Sequence, residues 1–437
     1  LLLCVGILPW ALEGRPSFPS ASSTRKNQPA SPQLPSRHVI SGSKDQQYLL
    51  VVGSVNADTT IGVDRLPRSG ETITARTIIQ KNAGGAVAGG KGANQAVAAA
   101  RMIGHRGSAR TMIGSRVQFV GQFGGDSHGA MLEHALVSEG VDVSGCGKHL
   151  DVCSGQGYVF LEKDGLVSSI VVPGANAAWP SEIGEALEER VRGAAMVLLQ
   201  REVPEHINEQ VAMIAHKASV PILQDVGGED RPLNDQILPH LNFLAPNLSE
   251  LKRLVEDEAI LPDPQTRPSL DQVIAAARRL QARGARNVLV TMGSQGSVLV
   301  QEGLDGKCIH KPCVPAPQVV DETSAGDCYR AAFCVAMMEG QSPEEAMRLA
   351  SAAGSLAVSK HGAVPSIPDR ASCEELLSHC SIDTNENVVE VLRGGALGDG
   401  KEGGDDDDKM KPCPLFASRL NSMKDRLDLW DGSDDVL

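Results

Sequence analysis

Between about residue 47 and residue 380 the chain alternates between two hydrophobic rhythms. Short runs rich in Val, Ile and Leu stand at Leu49–Val55, Val117–Gly121, Met196–Gln200, Pro221–Gln224, Asn242–Ala245 and Asn287–Thr291. Such runs suit strands of a parallel sheet buried on both faces. Longer segments with helical spacing lie between them, near 93–102, 128–139, 181–192, 205–217, 270–283, 326–339 and 343–360. The alternation predicts right-handed βαβ units and a doubly wound, mostly parallel α/β sheet flanked by helices. Thr72–Gln80 and Tyr158–Val172 fall outside it and predict extra strands, a small sheet covering the site. No Pro/Gly/Ser linker divides the span, so 47–382 reads as one domain.

Both ends differ from this middle. Residues 1–46 are rich in Ser and Pro and carry Arg15, Arg25, Lys26, Arg37 and Lys44 with few acids. That is transit-peptide composition; Leu1–Leu12 also resembles the apolar core of a secretory signal, and an arbitrary disordered leader is the plain alternative. A transit peptide would place the protein in a plastid or another organelle; otherwise it would be cytoplasmic. Residues 383–437 hold 14 acids against 7 bases, including the run Asp405–Asp408, and read as a self-repelling, mostly disordered tail.

Composition narrows the function. Of 437 residues, 41% are hydrophobic, enough for a large core. Aromatics are 3% and the net charge is −13, so neither stacking platforms nor a backbone-tracking basic surface is available and no nucleic-acid partner is expected. No apolar run reaches membrane-span length, so no membrane partner is expected either. The 10 cysteines form no Cys-x-x-Cys pair and read as buried thiols of a reducing compartment.

Glycine clusters carry the candidate chemistry. Gly84-Gly85-Ala86-Val87-Ala88-Gly89-Gly90-Lys91-Gly92-Ala93-Asn94-Gln95 leads into an Ala-rich helix. Gly85 to Lys91 fits the start of a phosphate-binding P-loop, but Gly92 stands where a Mg²⁺-holding Ser or Thr is required. Two other readings remain: a loop approaching a polyhydroxyl ligand, with Lys91 and Asn94 hydrogen bonding, or a tight turn capping a helix. Asp321-Glu322-Thr323-Ser324-Ala325-Gly326-Asp327 precedes an apolar helix. Free first-turn amides there make an anion site, and Asp327 is either a helix cap or a base taking a hydroxyl proton. Asn56 and Asp58 follow the first strand, where open α/β sheets bind ligands; an Asx turn is the alternative. Asn247-Leu248-Ser249-Glu250 suits a hydrated Mg²⁺ or a capping box. Thr291-Met292-Gly293-Ser294-Gln295-Gly296 suits nucleotide phosphates or a plain hairpin turn.

In this order the segments resemble the PfkB-type carbohydrate kinases, and ribokinases among them, over about 47–380. Gly89-Gly90-Lys91-Gly92-Ala93-Asn94-Gln95-Ala96 is the most specific part. The resemblance implies a ribokinase-like fold with a small β lid, and ATP-dependent phosphorylation of D-ribose at its 5-hydroxyl. The alternatives are a related kinase acting on another sugar or a nucleoside, and a non-catalytic sugar-binding regulator. It implies a sugar site of Asn56, Asp58, Gly89, Gly90, Lys91, Asn94, Glu202 and Asp327, with Asp327 as catalytic base. ATP would meet Asn247, Thr291, Met292, Gly293, Ser294, Gln295, Gly296, Ala325 and Gly326. Mg²⁺ would accompany ATP, and K⁺ would lie near Asp321, Thr323, Ala357, Lys360, Gly362 and Ser366. A homodimer formed through the lid is also implied.

The chain departs from the family pattern in four places. Cys328-Tyr329-Arg330-Ala331 replaces the usual Thr-Phe-Asn-Gly, putting Arg330 one turn beyond the anion hole. Gln224-Asp225-Val226-Gly227-Gly228 stands where some members have Asn-Pro-Ala-Pro. Segments 80–88 and 103–116 look inserted; Met112-Ile113-Gly114 in the second echoes Met102-Ile103-Gly104.

Overall fold

A computed structural model describes residues 48–78, 85–104, 116–163, 167–228, 231–255, 267–303, 307–380 and 388–389. The leader 1–46, the tail apart from 388–389, and most of both inserted-looking segments lie outside the described residues.

The chain opens with β1 (Leu49–Val52), β2 (Asn56–Gly62), β3 (Thr77–Ile78), β4 (Val87–Gly89) and α1 (Lys91–Ile103). Next come β5 (Val117–Val120), β6 (Gln122–Gly124), α2 (Ser127–Ser138), β7 (Gly147–His149), β8 (Gly155–Leu161) and β9 (Val167–Val172). The regular alternation continues with α3 (Glu185–Gly193), β10 (Met196–Arg201), α4 (Glu205–Lys217), β11 (Ile222–Gly228), β12 (Phe243–Ala245), α5 (Leu248–Val255) and α6 (Leu270–Ala282). It closes with β13 (Asn287–Thr291), β14 (Ser297–Val300), β15 (Cys308–Lys311), α7 (Ala325–Met338), α8 (Pro343–Ala357), α9 (Ala363–Ser366), α10 (Arg370–His379) and β16 (Val388–Val389).

Nine strands form the main sheet in the order β16-β15-β14-β13-β12-β11-β10-β1-β5. From β5 to β13 every pairing is parallel; the β13–β16 edge is antiparallel. Leu49 and Val51 enter one apolar cluster with α1, α7 and α8, while Leu50 and Val52 enter another with α4 and α6. Burial on both faces explains why the central strands read as unbroken apolar runs. A second sheet, β3-β2-β8-β9 with β4 also on β2, forms the lid, and β6 pairs β7 separately. Among the described residues no helix is long and apolar enough to cross a membrane.

Several boundaries differ from those predicted. The first strand ends at Val52, not Val55, because Val55 exchanges both backbone groups with the Asn176 side chain and the chain turns into the lid. Asn56 and Asp58 therefore stand on lid strand β2 rather than in an Asx turn. Within 72–80 only Thr77–Ile78 is strand among the described residues, while Tyr158–Val172 divides between β8 and β9. The helix expected from 181 starts at Glu185, and the one expected to reach 360 stops at Ala357.

Candidate active site

The glycine segment is a strand followed by a helix. Gly90 is the N-cap of α1 with φ 86°, a conformation open to glycine, and a β-carbon at Gly92 would meet Ser54 backbone at 2.6 Å. This close seating of α1 excludes the P-loop reading, which needs a larger residue at position 92. The Lys91 amide donates to Glu202 Oε2 (3.0 Å), which also accepts from Ser54 Oγ (2.5 Å). Glu202, just past the end of β10, thus sits on the positive end of α1, where its charge is favoured.

Asp58 lies opposite Val87 of β4 and Gly157 of β8. A β-carbon at Gly89 or at Gly157 would collide with its carboxylate, so two glycines make its slot. Burial, aided by the Glu202 and Asp327 charges, pushes the Asp58 carboxyl up to about 7 against a hydrogen bond from the Gly90 backbone. Asn56 is buried, and its Oδ1 accepts from Asn176 Nδ2 (2.7 Å). Sequence reasoning passed over Asn176; its signal was Gly174-Ala175-Asn176 directly after a strand.

Asp327 is buried in the first turn of α7. Its Oδ2 accepts from Asn94 Nδ2 (3.1 Å), its Oδ1 from Gln95 Nε2 (3.0 Å), and Lys91 Nζ stands 4.0 Å away. Burial and the Asp225 charge raise the Asp327 carboxyl, while Lys91 and the two amides oppose the rise. Burial pulls the Lys91 ammonium down, but Asp327, Asp225 and Glu202 more than reverse it, so it stays charged. Asn94 Oδ1 is buried without a hydrogen-bond partner among the described residues. The first bond of α7 runs from Cys328 N to Ser324 O (2.8 Å), so the Gly326 and Asp327 amides have no intrahelical acceptor.

Behind this turn lies a charged network that motif spacing does not reveal. Gln95 Nε2 also donates to Asp225 Oδ2 (2.7 Å), and Gln95 Oε1 accepts from Gln200 Nε2 (2.7 Å). Asp225 Oδ1 lies 3.0 Å from Arg330 Nε. The Arg330 guanidinium donates to Ala245 O through Nε (3.1 Å) and Nη2 (2.8 Å), and Nη2 stands 3.5 Å from Glu250 Oε2. Asp225 and Arg330, from two of the four departures from the family pattern, therefore form one buried ion pair.

On the remaining side, Asn247 and Glu250 form a reciprocal capping pair: Asn247 N donates to Glu250 Oε2 (2.8 Å) and Glu250 N to Asn247 Oδ1 (2.9 Å). Asn247 is bridged to Thr291, which brings the two strand ends together. Gly293–Gln295 is a single tight turn with Ser294 exposed, whereas the Met292 side chain packs into the core. Gly296 sits at φ 85° at the turn's end. Asp321 Oδ1 accepts from Thr323 N and Oγ1 (2.9 and 2.6 Å), and its Oδ2 accepts from Gly362 N (2.8 Å). Partial burial pushes the Asp321 carboxyl up, but these bonds hold it below its ordinary value. The Val320 and Asp321 amides both donate to Val358 O, tying this loop to the end of α8 near Ala357 and exposed Lys360. Ser366 is buried in α9 and donates to Ala363 O (2.8 Å); no hydrogen bond among the described residues links it to Asp321.

The pfkB family carbohydrate kinase pattern matches residues 46–370, most of the chain. This chain belongs to the pfkB family of carbohydrate kinases. The kinase is 43% identical to a ribokinase of Arabidopsis thaliana over 337 residues, 75% of this chain and 80% of that protein. It is 34% identical to a ribokinase of Bacillus subtilis over 76% of this chain and 99% of the relative. Its fold is similar to the structure of Arabidopsis thaliana ribokinase complexed with ribose and ATP, at TM-score 0.66 and 42% identity, covering 76% of the kinase and 98% of that chain.

Proposed function

We propose that this kinase transfers the γ-phosphoryl group of ATP to O5 of D-ribose. One observation carries the reading: Asp327 stands at the N-terminus of α7, held by Asn94 and Gln95, in the cleft shared with Asp58, Lys91 and Glu202. Likeness to ribokinases, one of them complexed with ribose and ATP, supports the choice of substrates.

Asp327 takes the O5 proton. The oxygen lone pair attacks the γ-phosphorus, the bond to the β,γ-bridging oxygen breaks, and its electron pair leaves with ADP. The raised carboxyl of Asp327 makes it a stronger base, and the Gly326 and Asp327 amides hold the charge on the transferred group. Asp58 accepts hydroxyl hydrogens of the sugar, Asn94 Oδ1 accepts another, and Lys91, Asn56, Glu202 and the Gly89–Gly90 backbone complete the pocket. Asn247, Thr291, Gly293–Gly296, Ala325 and Gly326 line the nucleotide side, with Met292 contributing to the core behind them.

Glu250 Oε1 and Lys91 Nζ flank Gly227, and no cluster of three or more metal-binding side chains occurs among the described residues. A single carboxylate suits Mg²⁺ carried on nucleotide phosphates with its waters, where it would neutralise phosphate charge. The Asp321 carboxylate, accepting from Thr323 and Gly362, braces its loop; main-chain carbonyls near Asp321, Thr323, Ala357, Lys360 and Gly362, with the Ser366 hydroxyl, would hold K⁺. Ile78, Ile170 and Val171 leave apolar surface exposed on the lid, the face on which a homodimer would form.

The test is a coupled ADP-release assay with ribose, 2-deoxyribose, fructose and adenosine. Ribose should give the highest kcat/KM, because a missing hydroxyl leaves buried polar groups unpaired. Ribose binding without ADP release would sink the reading in favour of a regulator.

A further inference from the structure

The α7 helix carries a cation that the anion hole itself does not require. Side chains on a helix lean towards its N-terminus, so Arg330 reaches back one turn over Gly326. A β-carbon at Gly326 would lie 2.5 Å from Arg330 Nη1, which places that nitrogen against the first turn. The other two guanidinium nitrogens are committed: Nε to Asp225 and Ala245 O, Nη2 to Ala245 O and the Glu250 carboxylate. Nη1 makes no hydrogen bond among the described residues. Asp225 of β11 pairs with Ala245, the last residue of β12, at the carboxyl end of that pairing, where ligands of an open α/β sheet bind. The guanidinium is 3% exposed, so its geometry is set by the fold rather than by solvent.

We propose that Arg330 is a phosphoryl-binding residue of this kinase: its Nη1 adds a charged donor to the Gly326 and Asp327 amides, acting on the group in transfer. Asp225 holds the fork in place and offsets the cost of burying the charge, so the planar guanidinium keeps one edge for the protein and one corner for the anion. A cation supplied in this way acts mainly on the transition state, where negative charge spreads over the equatorial oxygens.

The inference rests on the phosphoryl-transfer reading, and the test separates the two. Parent turnover with the sugar panel assays the reading; a charge-neutral double variant, Asp225→Asn with Arg330→Gln, assays Arg330 without stranding the Asp225 carboxylate, while Glu250 keeps its bond from Asn247 N. The double variant should bind ribose and ADP within about twofold of the parent. Its kcat should fall about 10-fold or more, and its affinity for ADP with aluminium fluoride and ribose, a mimic of the group in transfer, should fall similarly. A purely structural pair would not separate that mimic from ADP alone. Arg330→Lys serves if the double variant does not fold: one ammonium held by Asp225 cannot also reach Gly326, so the same selective loss is expected. Parent-like kcat and parent-like affinity for the mimic, in whichever variant folds, would overturn the proposal while leaving the kinase reading intact.

Discussion

The lid and the first turn of α7 hold their key carboxylates in opposite ways. Asp58 stands on a strand between two glycines, with the Gly90 backbone as its one hydrogen-bonding influence, and its carboxyl is pushed up to about 7. Asp327 stands on a helix with an amide on each oxygen, a lysine alongside and a buried ion pair behind Gln95. On the proposed function, the sugar side would leave its acceptor under-satisfied, so that bound hydroxyls complete it, and the phosphoryl side would be organised in advance, leaving little reorganisation for the chemical step. The contrast is between close backbone approach at Asp58 and a buried polar network at Asp327.

The largest effect is expected at the base. Asp327→Asn keeps the shape and the contact with Asn94 but cannot take the proton. Turnover should fall about 10²-fold or more with ribose affinity largely retained. Near-normal kcat would reduce Asp327 to a helix cap and remove the catalytic half of the comparison.

On the lid, Asp58→Ala should lower kcat/KM for ribose about 10²-fold while ATP affinity measured without sugar stays close to the parent. Weakened ATP binding with unchanged ribose kinetics would put Asp58 on the wrong side of the cleft.

Titration sharpens the contrast. Below about 7 Asp58 carries a proton and loses an acceptor, so kcat/KM for ribose should fall about tenfold per pH unit on the acid side and level off above. Asp58→Asn should remove that limb; a limb that persists in the variant belongs to Asp327. The same raised value means that stability from this group is present below its ordinary 3.8 and lost as pH rises towards about 7, because the folded state holds the proton longer.

The smallest effect concerns the turn before α7. Ser324 caps the helix at φ 63°, a conformation costly for a side-chain-bearing residue, with its hydroxyl buried and unpartnered. Ser324→Gly should stabilise the protein by about 1 kcal/mol, read as a raised melting temperature. A lower melting temperature would show that the hydroxyl has a role the strain conceals.

Much of this was legible in the chain. The alternating rhythms predicted the parallel sheet, because burial on both faces leaves unbroken apolar runs such as Met196–Leu199 within Met196–Gln200. The antiparallel edge β14–β16 was missed, since Ser297–Val300 and Cys308–Lys311 are only four residues each. Gly89–Asn94 and Ala325–Asp327 were readable because each is a strand-to-helix or loop-to-helix junction whose backbone geometry a few neighbouring residues dictate. Asn176, Gln95 and the Asp225–Arg330 pair were not, because their partners come from elements far apart in the chain.

What the sequence by itself determined is local: which segments become strands or helices, where glycine lets two backbones approach, and which helix begins with free amides. These follow from side-chain size, polarity and φ, which act over a few residues. Only the tertiary structure decided that Asp225 and Arg330 neutralise each other, that Gln95 joins Asp225 to Asp327, and that Asp58 lies between Gly89 and Gly157. Those relations depend on sheet order and crossover. Buried charges and amides find their partners only after the strands have been brought side by side.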